Sequence, residues 1–342
     1  MKKLHNLVLI FLNIQMKIEK ISIIVPCFNG GLFLEDSIKS IIKQTFNNFK
    51  LYLINNGSTD NSLKIMRFFE RKDNRIIVIN HRKKTSKGRS INKILRKIPE
   101  KYVCLMDADD IMLKSKLLLQ IKYLQKNPDI KVLSSLSSYI SDGKKSAGMS
   151  VNLLNNHNSC FDLIKNEKNV GLASPGVIID RQVINSIGGF RDKFWPCDDI
   201  DLWNRVSEAG YKVYAIPKIL LKYRLHKDSV ITSTFLRSKM MSRWVKECLI
   251  LRLKKKREVS YKKFIIKLKR QSTFKKIQIY SQDYSDYYFR NMIIHIIDNN
   301  YLKFFYTLLL AFLINPIRII NKIYFRIVFK ISYFFYNKST YM

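Results

Sequence analysis

Over its first hundred residues the chain repeats strand, breaker and helix in strict rotation, and that rotation restricts the fold more than any other feature. Ile21-Ser22-Ile23-Ile24-Val25 is a short, mostly β-branched run of the kind used by a strand buried on both faces. It stops at the breaker-rich Pro26-Cys27-Phe28-Asn29-Gly30-Gly31, after which Leu34, Ile38, Ile41 and Ile42 recur at helical spacing. Leu51–Ile54 repeats the strand signal and ends in Asn55-Asn56-Gly57-Ser58-Thr59-Asp60; Leu63, Met66 and Phe69 then mark a second helix. Arg75–Ile79 and Tyr102–Met106 read as the third and fourth strands, and the fourth runs into Asp107-Ala108-Asp109-Asp110. This alternation predicts an α/β fold, a mostly parallel sheet with helices on both faces. Ligands of such sheets bind beyond the carboxyl ends of the strands. Both polar clusters, Asn55–Asp60 and Asp107–Asp110, fall there.

The rotation ends well before the chain does. All eleven glycines lie between Gly30 and Gly210, and Pro316 is the only one of seven prolines beyond Pro217. From Phe235 onward there are 23 Lys and Arg against 5 Asp and Glu, half of the net charge of +36. The predicted organisation is an N-terminal extension over 1–20, an α/β domain over 21–230 and a basic helical region over 231–342. The extension, with Lys2, Lys3 and Leu7–Leu12, imitates a signal peptide but lacks a small-residue cleavage site. Met16 stands just before the first strand, so the leader is either an extension or a matter of start-site choice. The five cysteines are scattered with no C-x-x-C pair, which excludes a disulfide framework or zinc site and suits a reducing compartment.

The succession Val25-Pro26-Cys27-Phe28-Asn29, Gln44-Thr45-Phe46, Asn55-Asn56-Gly57-Ser58-Thr59-Asp60 and Asp107-Ala108-Asp109-Asp110 resembles the family 2 glycosyltransferases of GT-A (Rossmann-like) fold. The resemblance continues through Gly188-Gly189-Phe190, Asp198-Asp199-Ile200-Asp201-Leu202-Trp203 and Tyr223-Arg224-Leu225-His226, and so covers about residues 20–230. It implies an inverting, hexosyltransferase-type enzyme that takes a nucleotide-diphospho-sugar donor, a UDP-sugar, and a glycan or lipid-linked acceptor. It also implies a divalent cation, Mn2+ or Mg2+. Donor contacts would come from Pro26, Phe28, Asn56, Arg89, Asp107 and Ala108, and the metal would fall to Asp107, Asp109 and His226. Trp195 and Asp198 would lie on the acceptor side, with Asp199 as catalytic base.

Elementary chemistry accords with these roles and leaves alternatives beside several of them. A diphosphate leaving group needs its charge neutralised, and a cation on hard oxygen ligands does so. Asp107 and Asp109 are two residues apart at a strand end, so extended geometry turns both carboxylates the same way. Asp109 or Asp110 would otherwise cap a helix beginning near Met112. Asn55-Asn56 departs from the family's acidic pair. The Asn56 carboxamide can pair with an imide edge such as uracil's, or the segment is turn chemistry alone. Arg89 sits in the basic stretch Arg82–Arg89, which either meets phosphate or is solvated. An acceptor hydroxyl needs a positioned base, and Asp199 fills that role while Asp198 suits an N-cap. Trp195 either stacks on a sugar or packs, and His226 is either a metal contact or a structural hydrogen-bonder.

In the basic region, Phe304–Ile314 is apolar but too short to span a bilayer comfortably. Arg318, Lys322, Arg326 and Lys330 follow at a spacing of four, a cationic stripe on an otherwise apolar helix. That pattern suits a helix lying in a membrane interface. With the cations of residues 252–276 it predicts peripheral attachment to an anionic surface on the cytoplasmic face; the alternative is packing onto the catalytic domain. Three rival readings are available to such a sequence. A nucleic-acid-binding protein is motivated by charge alone and by no recognisable module, so no nucleic-acid partner is expected. A nucleotidyltransferase would need a Gly-rich, Arg-containing first loop. An inactive sugar-nucleotide-binding relative is motivated by Asn55-Asn56.

Overall fold

In the computed structural model of the protein, residues 20–142, 146–149, 159–226, 229 and 233–339 are described. The leader with its Lys2, Lys3, Leu7–Leu12 and Met16 lies outside them, as does the side chain of Lys330. The expected rotation is present: β1 (Ile21–Cys27), α1 (Gly31–Ile42), β2 (Phe49–Asn55), α2 (Ser62–Lys72), β3 (Ile76–Asn80), α3 (Lys87–Leu95) and β4 (Tyr102–Leu105). Then come β5 (Ile111–Met112), α4 (Lys116–Lys126), β6 (Ile130–Ile140), β7 (Ser146–Met149), α5 (Ser159–Lys165), β8 (Val177–Asp180), α6 (Arg181–Ser186), α7 (Asp198–Glu208) and β9 (Lys212–Arg224).

These strands form one sheet in the order β3-β2-β1-β4-β8-β6-β9-β5, with β7 beside β6. β3, β2, β1 and β4 are parallel, β8 is antiparallel to both β4 and β6, and β6 and β9 are parallel. Alternation along β1 shows why both faces are covered: Ile21, Ile23 and Val25 join the core under α1, α2 and α4, whereas Ile24 joins the core under α3, α5 and α7. The mostly parallel GT-A expectation therefore holds, with a mixed second half that the strand signals did not disclose. One local expectation fails. No helix begins near Met112; Ile111 and Met112 pair with Lys222 and Leu221 of β9, and α4 starts only at Lys116.

Five helices follow: α8 (Phe235–Leu253), α9 (Tyr261–Lys269), α10 (Thr273–Ile297), α11 (Tyr301–Ile314) and α12 (Pro316–Ser339). Met241, Trp244, Val245 and Cys248 of α8 cover Phe194 and Cys197 just ahead of α7, and Phe264 of α9 closes that cluster. Ion pairs fasten the same contact, for Arg252 bonds Glu208 and Glu258, and Arg191 bonds Asp201 and Glu258. Farther on, Phe289 and Met292 of α10 pack with Ala311 and Ile319.

The stripe on α12 turns inward rather than to the surface. Arg318 Nε lies 2.7 Å and Lys322 Nζ 2.5 Å from Asp286 of α10, and the Arg326 guanidinium stands 5.2 Å from the Phe289 ring. The reason is electrostatic: a buried carboxylate must be paired, and although burial alone would raise the Asp286 carboxyl, Arg318, Lys322 and Lys239 (at 2.5 Å) hold it well below the usual carboxylate range. What α11 and α12 present outward is apolar instead, including Leu302, Phe305, Leu313 and Ile317, all more than 60% exposed. No described helix is long and apolar enough to cross a membrane.

Candidate active site

The loops after β1 and β2 are locked together at the carboxyl edge of the sheet. Asn29 adopts the left-handed region (φ 53°) and accepts the Thr59 amide at 2.8 Å on Oδ1, while its own amide donates to Ser58 Oγ at 3.0 Å. Gly31 N donates to Asp60 Oδ2 at 2.9 Å. Gly57 (φ 83°) permits the close passage of the Lys83 backbone, whose carbonyl carbon would lie 2.6 Å from an added Cβ.

The two asparagines divide the work in this frame. Asn55 is a turn organiser, donating to Asn80 Oδ1 at 2.7 Å and accepting the Ser58 amide at 3.0 Å. Asn56 is buried, its amide bonded to Cys27 O at 2.8 Å, and its Oδ1 has no partner among the described residues. A buried acceptor of this kind is costly unless something donates to it. Phe28 is exposed nearby with Lys84 Nζ 4.4 Å from its ring, whereas Pro26 is buried within β1 in register with Ile54.

At the end of β4, Asp107, Asp109 and Asp110 bring carboxylate oxygens within 4.8 Å of one another. His226, from the end of β9, sets Nε2 3.1 Å from Asp109 Oδ2. Asp110 caps no helix; it is buried, accepts the Arg224 amide at 2.8 Å on Oδ1, and leaves Oδ2 unpartnered. Burial, with Asp109 and Asp107 beside it, raises the Asp110 pKa well above the ordinary value. Three hard-oxygen donors, an adjacent imidazole and an orphaned carboxylate oxygen fit a divalent cation. The buried Arg224 fixes the loop by donating from Nε to Asp109 O at 2.8 Å and from Nη1 to Ser141 O and Asp142 O, both at 3.1 Å. Ala108 is half-buried between the acids, its Cβ 3.5 Å from where a Cβ on Gly30 would stand.

A second acidic pair opens α7. The residue ahead of the helix is Cys197, so Asp198 and Asp199 both lie in the first turn, and Asp198 is not an N-cap. Burial, then the neighbouring Asp198, pushes Asp199 up to about 7, while Lys87 acts in the opposite direction. Burial likewise raises Asp198. Lys87, in the first turn of α3, is the residue sequence reasoning missed. It bonds Asp107 directly and feels both Asp198 and Asp199; burial opposes its charge, but the three carboxylates hold its pKa above the ordinary lysine value. Arg89, two residues on, points away: its side chain is 77% exposed and reaches Asp192 at 3.5 Å. In a stretch with Arg82, Lys83, Lys84, Lys87 and Arg89, spacing alone could not select the inward cation. Trp195 is half-buried, with Arg237 of α8 4.8 Å from its ring.

The carboxyl edge of the sheet therefore carries a buried hydrogen-bond acceptor and an acidic cluster with an imidazole, and Lys87 links that cluster to a second acidic pair of raised pKa. Residues 22–185 match the family model "Glycosyl transferase family 2". This segment is a family 2 glycosyltransferase domain. The chain is also similar to the amylovoran biosynthesis glycosyltransferase AmsE of Erwinia amylovora, at 25% identity over 197 residues, 58% of this chain and 72% of that protein. Among solved structures, the mannosyltransferase PcManGT from Pyrobaculum calidifontis, in complex with GDP-Man and Mn2+, shares its fold with a TM-score of 0.51. That likeness covers 71% of this chain and 66% of the other at 14% identity. TarS 1-349 of S. aureus, in complex with UDP-GlcNAc, also gives 0.51 at 15% identity, over 84% of this chain and 90% of that one.

Proposed function

We propose that the chain transfers a sugar from a UDP-sugar to a hydroxyl of a glycan or lipid-linked acceptor, with inversion, in surface polysaccharide biosynthesis. The observation that carries this reading is the placement of Lys87, which bonds Asp107 of the acidic cluster while facing Asp198 and Asp199 of the second pair. That link supports reading the acid cluster and the Asp198–Asp199 pair as one electrostatic unit. Asp107 and Asp109 would hold a divalent cation, Mn2+ or Mg2+, with His226 beside them; when bound, it neutralises diphosphate charge. The imide N–H of uracil would donate to Asn56 Oδ1, and Phe28 would flank the base. Lys87 sits where a phosphate oxygen would compete with Asp107 for its ammonium group.

Asp199, with a pKa near 7, would take the acceptor proton. The acceptor oxygen bonds the anomeric carbon, the bond from that carbon to the phosphate oxygen breaks, and the nucleoside diphosphate leaves. One base and one displacement give inversion. Mannosyl and N-acetylglucosaminyl donors in the similar structures, and amylovoran synthesis by the similar AmsE, support the substrate class. The test is a panel of nucleotide sugars incubated with purified protein and Mn2+ or Mg2+, reading nucleotide release. Release from one donor, abolished by EDTA, is expected; no release from any donor would leave a binding protein without turnover.

The apolar outer surface of α11 and α12, together with exposed Lys254, Lys255, Lys256, Arg257, Lys262 and Lys263, supports peripheral attachment to an anionic surface at the cytoplasmic face of a membrane.

A further inference from the structure

A cavity of about 830 Å³ lies between the end of β9 and helices α8, α10 and α12. Its size is in the range of pockets that enclose a whole small ligand, roughly 300–1,000 Å³. Tyr223 and Leu225 line it on either side of Arg224, whose amide donates to Asp110, and Tyr223 feels the charges of Asp110, Asp107 and Asp109, so the cavity neighbours the acidic cluster.

The lining has two characters. Phe235, Phe289, Ile293, Ile317 and Phe325 make an apolar wall. Against it stand five cations, Lys239, Arg290, Arg318, Lys322 and Arg326, and one carboxylate, Asp286. Asp286 is already engaged by Lys239, Arg318 and Lys322. Arg290 is different: among the described residues its buried Nε and Nη2 have no hydrogen-bond partner, and no carboxylate pairs with it. The groups facing it are Tyr139 and Tyr223 and the Phe235 ring, 5.6 Å away. A buried guanidinium without an anion is expensive, so the excess of positive charge beside aromatic walls selects an anionic ligand with an apolar body.

We infer that this cavity binds the phosphate end of an amphiphile, a lipid phosphate or diphosphate that carries the acceptor, with Arg290 and Arg326 on the phosphate and the chain leaving along the exposed apolar surface of α11 and α12. The inference rests on the transferase reading and assigns its acceptor site. Deacylated or free phosphate would satisfy the cations alone, and a neutral alcohol the walls alone; the lipid phosphate satisfies both.

The experiment is calorimetric titration of the full chain with decyl phosphate below its micelle concentration, with inorganic phosphate and decanol as separate arms. Decyl phosphate is expected to bind at least about tenfold more tightly than either, as charge-assisted hydrogen bonds and burial add. Arg290→Met should weaken decyl phosphate about tenfold or more, and the more exposed Arg326→Gln should weaken it several-fold. UDP binding in the presence of Mn2+ reports whether each variant is folded. Unchanged decyl phosphate affinity in both folded variants, or inorganic phosphate or decanol matching decyl phosphate, would overturn the assignment. A wild-type protein that binds decyl phosphate through Arg290 yet releases nucleotide from no donor would sink the transferase reading instead, leaving the cavity a lipid-phosphate site.

Discussion

His226 Nε2 lies 3.1 Å from Asp109 Oδ2, although 117 residues separate them. The contact exists because β5, just after the acidic cluster, pairs with β9, which ends at Arg224. Strand pairing is therefore what brings the last residue of Tyr223-Arg224-Leu225-His226 to the acidic cluster.

This arrangement makes metal affinity separable from fold. Asp109→Ala should abolish transfer and reduce Mn2+ affinity by at least about tenfold, while His226→Ala should cost less in both. Melting temperature should change little in the Asp109 variant, since its carboxylate is a site group rather than core. Titration of Mn2+ with nucleotide release on the same samples checks this, and a chelator-insensitive Asp109→Ala enzyme would remove the metal from the proposal.

Asp199 predicts the pH dependence. A base must be deprotonated to act, so kcat/KM should fall as pH drops through about 7. Stability should run the other way for this residue. Its folded pKa lies above the unfolded value of 3.8, so the folded state retains a proton between about 4 and 7, and stability is lost as pH rises through that window. Asp199→Asn should therefore lose orders of magnitude in rate yet melt higher than wild type at pH 8, with the gap closing toward pH 4. Scanning calorimetry across that range, alongside pH–rate profiles, reads both signs.

Lys87 and Arg89 should separate cleanly. Lys87→Met should lower kcat/KM by about a hundredfold or more, on the scale of a lost buried charge-assisted bond. It should also move the midpoint of the pH profile upward, because the lysine opposes the rise of Asp199. Arg89→Ala, on an exposed side chain, should change kcat/KM by less than about threefold. Equal losses in the two variants would contradict the geometry.

The unpartnered Oδ1 of Asn56 predicts that Asn56→Ala weakens UDP binding by about 1–3 kcal/mol. Asn56→Asp keeps an acceptor and should bind nearly as well. Calorimetry with UDP decides it; unchanged affinity in the alanine variant would leave Asn56 a turn residue.

Membrane binding should depend on the α8–α9 cations rather than on the α12 stripe. Lys255→Glu with Lys256→Glu should reduce binding to anionic vesicles without lowering the melting temperature, since both are exposed. Arg318→Glu with Lys322→Glu should instead destabilise the fold, because the buried Asp286 loses two partners and gains two like charges. A chain ending near 234 should aggregate, since α8 covers Phe194 and Cys197. Sedimentation with anionic and neutral vesicles, with melting curves in parallel, tests all three.

Local pattern was enough to read β1 to β4, because β-branched runs bounded by Gly, Pro and Asn need no distant partner to be recognised. It also located the acidic cluster, since a loop after a buried parallel strand has no position but the sheet edge. The mixed second half was not legible. β6 carries Ser134, Ser135, Ser137 and Ser138, and becomes a central strand only because β8 and β9 pair with its backbone. The same limit applies to side-chain direction. Sequence supplied five cations between Arg82 and Arg89 and four from Arg318 to Lys330, but whether each met solvent or a carboxylate depended on elements far along the chain. Asp107 drew Lys87 inward, and Asp286 drew Arg318 and Lys322. Charge is a property of composition, whereas the partner that neutralises it is chosen by packing.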